Sequence, residues 1–68
     1  MKLTFQEAGE KLVVSLFEDL DLSRTLAFEK RLTEMIAQGN RVFILDFSRV
    51  KYVDSSGIGT IVRIHRLL

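Results

Sequence analysis

The chain has 68 residues, 47% of them hydrophobic and 28% charged, and its ten Lys and Arg against nine Asp and Glu leave a formal net charge of +1. This length allows one small domain, and the balanced charge without a basic block argues against nucleic-acid binding. Cysteine is absent, which excludes disulfides and Cys-based metal sites, and no apolar run approaches the roughly 20 residues that span a bilayer. We therefore expect a cytoplasmic protein with no direct membrane insertion.

The first part of the chain predicts an antiparallel hairpin. Residues 2–7 alternate polar and apolar side chains, and a turn is expected at residues 8–10, around Gly9. Residues 11–18 are predicted to form the second strand. Because both faces of this second strand carry apolar side chains, we expect it to be the more central of the two and covered on both sides.

A helical period follows the hairpin. Asp21 or Ser23 is the expected N-cap, and Gly39 with Asn40 predicts the end of the helix. The residues predicted for its inner face are Thr25, Phe28, Leu32, Met35 and Ile36. The near-continuous apolar run at residues 41–47 then predicts an interior strand, joined to the preceding strand by a right-handed parallel crossover.

A second helix is predicted to begin near Ser56. Its predicted apolar face is formed by Ile58, Ile61, Val62, His65 and Leu68. Ile64 and Leu67 point towards the opposite side, so this helix carries more apolar surface than one sheet can cover. We expect a further contact on it, and self-association into a dimer through this helix is one way to provide it. His65, without a second ligand at metal spacing, is expected in the core or an interface.

The segment Asp-Ser-Ser-Gly at residues 54–57 places two hydroxyls where the second helix begins. The first turn of a helix has backbone N–H groups without intrahelical partners and the positive end of the macrodipole, so a phosphate on a serine there is held favourably. By residue type alone, the commoner role of Ser55 and Ser56 is that of helix caps, and that of Asp54 is to stabilise the helix N-terminus by its charge.

Residues 42–59, an apolar strand followed by Asp-Ser-Ser-Gly-Ile-Gly, resemble the signature of the bacterial anti-sigma factor antagonists, which are small STAS-domain proteins. The order hairpin, helix, strand, helix also resembles the first half of the STAS fold. The resemblance therefore implies one partial α/β STAS-like domain over residues 1–68. Family domains continue with further strands and helices, so a truncated piece, a proteolytic fragment and a short protein that dimerises all stay open.

The resemblance implies that Ser55 is the phosphorylated residue and that a partner binds around it. Asp21 stands at the place of an acidic residue that lies near this serine in the family, although Glu18 replaces the family's usual glycine. The implied partner-binding residues are Asp21, Tyr52, Val53, Asp54, Ser56, Gly57, Ile58 and Gly59. The two glycines are predicted either to leave Ser55 accessible to a kinase or to let the helix pack closely on the sheet.

The function that the resemblance implies is that of an anti-sigma factor antagonist that regulates transcription. The unphosphorylated form would bind an anti-sigma factor that is also a serine kinase and would thereby free a sigma factor. The kinase would phosphorylate Ser55 with ATP and Mg²⁺, which releases the complex, and a PP2C-type phosphatase would reset it. The protein would need no cofactor of its own.

Catalysis by the chain itself is not expected. A Walker A motif is absent, and neither serine fits the pattern G-x-S-x-G of a nucleophile elbow. Two other functions stay open. One is a STAS module that is never phosphorylated and serves as an accessory subunit of a transporter or a scaffold. The other is a binder of a phosphate-bearing small molecule at the helix N-terminus.

Overall fold

The computed structural model describes all of residues 1–68 as a three-stranded sheet with two helices packed on one of its faces. The elements along the chain are β1 (Leu3–Ala8), β2 (Lys11–Leu16), α1 (Leu22–Ala37), β3 (Val42–Asp46) and α2 (Ser55–Leu67). This is the α/β order predicted from the sequence. Neither helix combines the length and the apolar composition that a membrane crossing requires.

The sheet has the strand order β1-β2-β3, with β1 antiparallel and β3 parallel to β2. The tight turn between β1 and β2 contains Gly9, whose φ is 64°. Strand β2 is central in the sheet, as predicted. The expectation that β2 is covered on both faces is wrong. Both helices lie against the face that carries Leu12, Val14 and Leu16, so Val13 on the other face is only half-buried and Phe17 beyond the strand is exposed.

Strand β3 lies at the edge of the sheet, which corrects the prediction of an interior strand. It pairs with β2 alone. Phe43 and Leu45 turn towards the core, whereas Val42 and Ile44 on the opposite face are exposed. The apolar run suits a strand with covered faces, and in this chain one face and one edge of β3 are open.

Helix α1 has the predicted ends. Of the two candidate caps the structure uses Asp21, whose side chain accepts a hydrogen bond from the Ser23 N–H. At the other end Gly39 has φ 105° and donates from its N–H to Ile36 O at 2.9 Å, while the Asn40 N–H donates to Met35 O at 3.2 Å. This pair of bonds is the Schellman motif, which requires a left-handed residue and explains why the helix stops here.

Helix α2 packs on the sheet through a different face from the predicted one. Its buried residues are Gly57, Thr60 and Ile64, while Ile58, Val62 and His65 are exposed. A Cβ at Gly57 would lie 2.8 Å from Val53 Cγ1 and 3.0 Å from Leu20 Cγ, so the helix makes its closest approach where it has no side chain. Thr60 and Ile64, three and seven positions after Gly57, lie on the same face of the helix and are therefore buried with it.

The core is small and continuous with the segments that precede both helices. Seven buried apolar residues form it: Leu12, Val14, Leu16, Leu20, Phe28, Leu32 and Ile64. Leu20 lies beyond the end of β2 and pairs with Val53 in an isolated parallel bridge. This bridge joins the chain before α1 to the chain before α2 and so brings the two helix N-termini together.

Candidate functional site

The N-termini of α1 and α2 meet at the carboxyl end of the parallel strands. The Leu20 N–H donates to Tyr52 O at 3.0 Å and the Asp54 N–H donates to Leu20 O at 3.1 Å, so the two entering segments run side by side. Asp21 caps α1 and Asp54 caps α2. The fold therefore brings the predicted residue Asp21 to the same end of the sheet as Asp54 and the start of α2.

Asp54 is the central polar group of this site. Its Oδ1 accepts hydrogen bonds from the Gly57 N–H at 3.0 Å and from the Ser56 hydroxyl, and its Oδ2 accepts one from the Leu22 N–H at 3.1 Å. The bond from the Ser56 hydroxyl, followed by that from the Gly57 N–H, holds the pKa of Asp54 below its usual range. The helix cap is thus Asp54, and the assignment of Ser56 or Ser55 as the cap is wrong.

Asp21 has a separate set of partners. Its Oδ1 accepts from the Ser23 N–H at 3.1 Å and the Ser23 hydroxyl at 2.6 Å, and its Oδ2 lies 2.9 Å from Arg24 Nη1. The bond from the Ser23 hydroxyl is the main cause that lowers the pKa of Asp21, while the neighbouring charge of Asp54 acts in the opposite direction. The two carboxylates are therefore close enough to interact, and Arg24 partly offsets their charge.

Asp19 is a site residue that the sequence analysis missed. Its Oδ1 accepts from the Lys51 N–H at 2.9 Å and the Tyr52 N–H at 3.2 Å, which holds the loop before α2 in place. A signal for it was available. Leu20 is in phase with the alternating apolar residues Leu12, Val14 and Leu16, so the alternation of an extended chain turns Asp19 away from the core.

Ser55 and Ser56 differ in accessibility although they are adjacent. Ser55 is the first residue of α2 and is exposed, whereas Ser56 is half-buried and bonded to Asp54. The two glycines differ as well. Gly57 is needed for close packing, while a Cβ at Gly59 would meet only Arg63 Nη1 at 3.5 Å. The close-packing explanation thus applies to Gly57, while access of a kinase to Ser55 stays a prediction.

Apolar residues on both sides of Ser55 in the sequence have exposed side chains. Tyr52 and Ile58 were predicted from the sequence and are exposed, while Val53 is half-buried against the core. Leu22 and Leu26, which the sequence pattern did not single out, are 74% and 80% exposed.

Two contacts join α1 to α2 and the segment before it. The Leu22 N–H bonds to Asp54, and Glu29, one turn beyond Leu26, pairs with Arg63 of α2 at 2.9 Å. Arg63 therefore links the two helices.

A second feature is an apolar groove of about 220 Å³ beside α2. Its lining residues are Leu32, Phe43, Leu45, Ile61, Ile64, His65 and Leu68. His65, expected in a core or an interface, is exposed at this groove. The groove adjoins the open edge of β3, so the surplus apolar surface predicted for α2 is present in the folded chain.

Comparison with known proteins gives consistent matches. A family model described as "Mlab, STAS domain" matches residues 3–68. The anti-sigma factor antagonist SpoIIAA in its unphosphorylated form matches with a TM-score of 0.76 and 29% identity, over 97% of this chain and 62% of that one. The Bacillus cell fate determinant SpoIIAA in its phosphorylated form gives 0.74 and 29%, over 97% and 61%.

A third solved structure shows the shared fold at lower identity. An anti-sigma factor antagonist from Mycobacterium paratuberculosis matches with a TM-score of 0.88 and 18% identity, over 96% of this chain and 56% of that one. The present chain thus spans 56–62% of the length of these three solved chains.

Proposed function

The chain belongs to the STAS domain family, and on this premise we propose that it is an anti-sigma factor antagonist whose binding to an anti-sigma factor is switched by phosphorylation of Ser55. One observation carries the proposal. Ser55 is the exposed first residue of a helix whose cap is supplied by Asp54, so its hydroxyl is free of the capping role. Solved structures of one antagonist, in unphosphorylated and phosphorylated forms, are 29% identical to this chain and support the same switch.

In the proposed reaction this protein is the substrate of a serine kinase. The Ser55 oxygen forms a bond to the γ-phosphorus of ATP while the bond from that phosphorus to the ADP oxygen breaks. The hydroxyl proton passes to a base of the kinase, which also holds Mg²⁺. The contribution of this chain is to hold the first turn of α2 rigid through Asp54 while leaving Ser55 open to solvent.

The phosphate acts on the interface through its charge. Phosphoserine carries about −1.5 to −2 charges at neutral pH. The N-terminus of α2 attracts this charge, whereas the carboxylates of Asp21 and Asp54 repel it. The folded domain therefore tolerates the phosphate, while a partner surface that fits the uncharged serine loses affinity. A PP2C-type phosphatase would restore the binding form, and the reaction with ATP places the cycle in the cytoplasm.

The proposed partner surface consists of the exposed members of the predicted set. Tyr52 and Ile58, three positions before and after Ser55, are exposed and available for contact, Gly59 is half-buried, and the exposed Leu22 extends the surface onto α1. The other predicted residues shape this surface without projecting from it: Asp21, Val53, Asp54, Ser56 and Gly57.

The phosphorylation step can be tested by intact-mass and fragment mass spectrometry. The chain is incubated with ATP, Mg²⁺ and an anti-sigma factor kinase from the same source that is active on another substrate. We expect one phosphate on Ser55, its loss in Ser55→Ala, and its retention in the matched variant Ser56→Ala. A folded chain that acquires no phosphate, or acquires it equally in Ser55→Ala, would contradict the proposal.

A second candidate function is a STAS module that is never phosphorylated, such as an accessory subunit of a transporter or a scaffold. It is favoured by the structural use of the motif, because Asp54, Ser56 and Gly57 all serve the fold. Such a module would bind its partner with the same affinity whether residue 55 is serine or aspartate.

A further inference from the structure

The carboxylate of Asp54 serves two helices at once. Its Oδ1 caps α2 through the Gly57 N–H, and its Oδ2 accepts from the N–H of Leu22, the first residue of α1. Asp21, the cap of α1, bonds the Ser23 N–H and leaves the Leu22 N–H to find another acceptor. The first turn of α1 therefore depends on a side chain from the start of α2.

A phosphate on Ser55 would be carried by the residue next to the one that bears this shared carboxylate. Ser55 follows Asp54 in the chain and begins α2, whose first N–H groups attract an anion. Two like charges repel each other with an energy that is inversely proportional to their separation. The repulsion is relieved when the two side chains turn apart, and a turn of the Asp54 carboxylate moves its Oδ2 away from the Leu22 N–H.

We propose that Asp54 is a positioning residue that transmits the phosphorylation state of Ser55 to the first turn of α1. Phosphorylation weakens the bond from the Leu22 N–H to Asp54 Oδ2, and the start of α1, with the exposed side chain of Leu22, shifts. The effect of the phosphate on a partner then extends from α2 to α1. The biological meaning of this relay rests on the proposed function.

Nuclear magnetic resonance of the synthetic chain tests the relay without a kinase. The 68-residue protein is prepared by chemical synthesis with serine or phosphoserine at position 55 and with ¹⁵N at Leu22 and Ser23. In the phosphorylated chain we expect the Leu22 amide proton to move upfield and to exchange with solvent several-fold faster. The Ser23 amide, which bonds to Asp21, should change much less.

Two matched variants separate the relay from a direct effect of the phosphate field. In Asp54→Asn the amide oxygen still caps Gly57, but the NH₂ group cannot accept from the Leu22 N–H. The Leu22 response to phosphorylation should therefore disappear. Asp21→Asn loses only its pairing with Arg24 and keeps the Leu22 bond, so its response should equal that of the unmodified sequence.

Each outcome has a defined meaning. An equal Leu22 response in Asp54→Asn would show a through-space effect and overturn the relay. An unchanged Leu22 amide in the phosphorylated parent chain would overturn it as well, even if Asp54→Asn fails to fold. Failure of the kinase assay would contradict the proposed function alone, because here the phosphate is installed by synthesis.

Discussion

At the scale of single residues, Asp54 is the cap of α2, and Ser55 is exposed. The sequence suggested the serines both as helix caps and as the site of phosphorylation. The motif identified the position of the helix start and the exposed serine, because both depend on neighbours in the chain. The bond from Leu22 to Asp54 could not be predicted in this way, because the two residues are 32 positions apart and meet only after the Leu20–Val53 bridge has formed.

The charge at position 55 is predicted to control partner binding. Ser55→Asp should weaken binding to the anti-sigma factor several-fold more than Ser55→Ala, since only the aspartate adds negative charge beside Asp21 and Asp54. Ser55→Asn is the matched control, because it has the shape of aspartate without the charge. Affinities of the three variants from calorimetry check this, and equal values for Asp and Asn would argue against a charge-driven switch.

The stability of the domain is predicted to fall in acid. The pKa values of Asp21 and Asp54 are below the ordinary 3.8 in the folded chain, because hydrogen bonds stabilise the ionised forms. Groups with a lowered folded-state pKa contribute stability above their unfolded pKa, and this stability is lost as the pH falls through the folded-state value.

Thermal unfolding followed by circular dichroism from neutral pH to below pH 3.8 measures this loss. Asp21→Asn keeps the cap and removes the titrating group, so its melting temperature should depend less on pH in this range than that of the parent chain. Identical pH profiles for the two proteins would contradict the assignment of Asp21.

At the scale of elements, every helix and strand could be located from the sequence, but not the buried face of every one. Caps, turns and periods depend on residues near in sequence, and they gave the order, the central position of β2 and the Gly39 stop. The rotation of α2 depends on where its backbone can approach the Leu20–Val53 bridge. Counting apolar side chains could not reveal this, because the closest contact is at Gly57, which has none.

The two glycines of α2 are therefore predicted to respond oppositely to alanine. Gly57→Ala places a Cβ against Val53 and Leu20 and should lower the free energy of unfolding by about 1–3 kcal/mol, as overpacked cores do. Gly59→Ala has room and should raise it by about 0.5–1 kcal/mol through helix propensity. Urea denaturation of the two variants checks this, and a neutral Gly57→Ala would refute the close packing.

At the scale of the whole molecule, the described fold leaves much apolar surface uncovered. Seven residues form the buried apolar core, while the groove beside α2, the outer face of β3 and the exposed side of α2 stay open. The apolar residues on two sides of α2 already indicated in the sequence that this helix carries uncovered apolar surface. The sequence did not reveal the open edge of β3, because a continuous apolar run predicts a covered strand and does not show whether the cover belongs to the same 68 residues.

This surface predicts that the chain self-associates through α2. In a concentration series by sedimentation velocity, the average mass should rise with concentration. Val62→Lys, on the exposed side of α2, should shift the population towards monomer, while Gln38→Lys, at the exposed end of α1, should not. A stable, well-folded monomer at every concentration would contradict this prediction.

The most direct test of the proposed switch is the affinity of one anti-sigma factor for the chain with serine or with phosphoserine at position 55, measured by calorimetry under identical conditions. We predict that the unphosphorylated chain binds and that the phosphate weakens binding at least about tenfold, or about 1.4 kcal/mol. Equal affinities of the two forms, with both shown to be folded, would contradict the switch and leave the unregulated STAS module as the function of this chain.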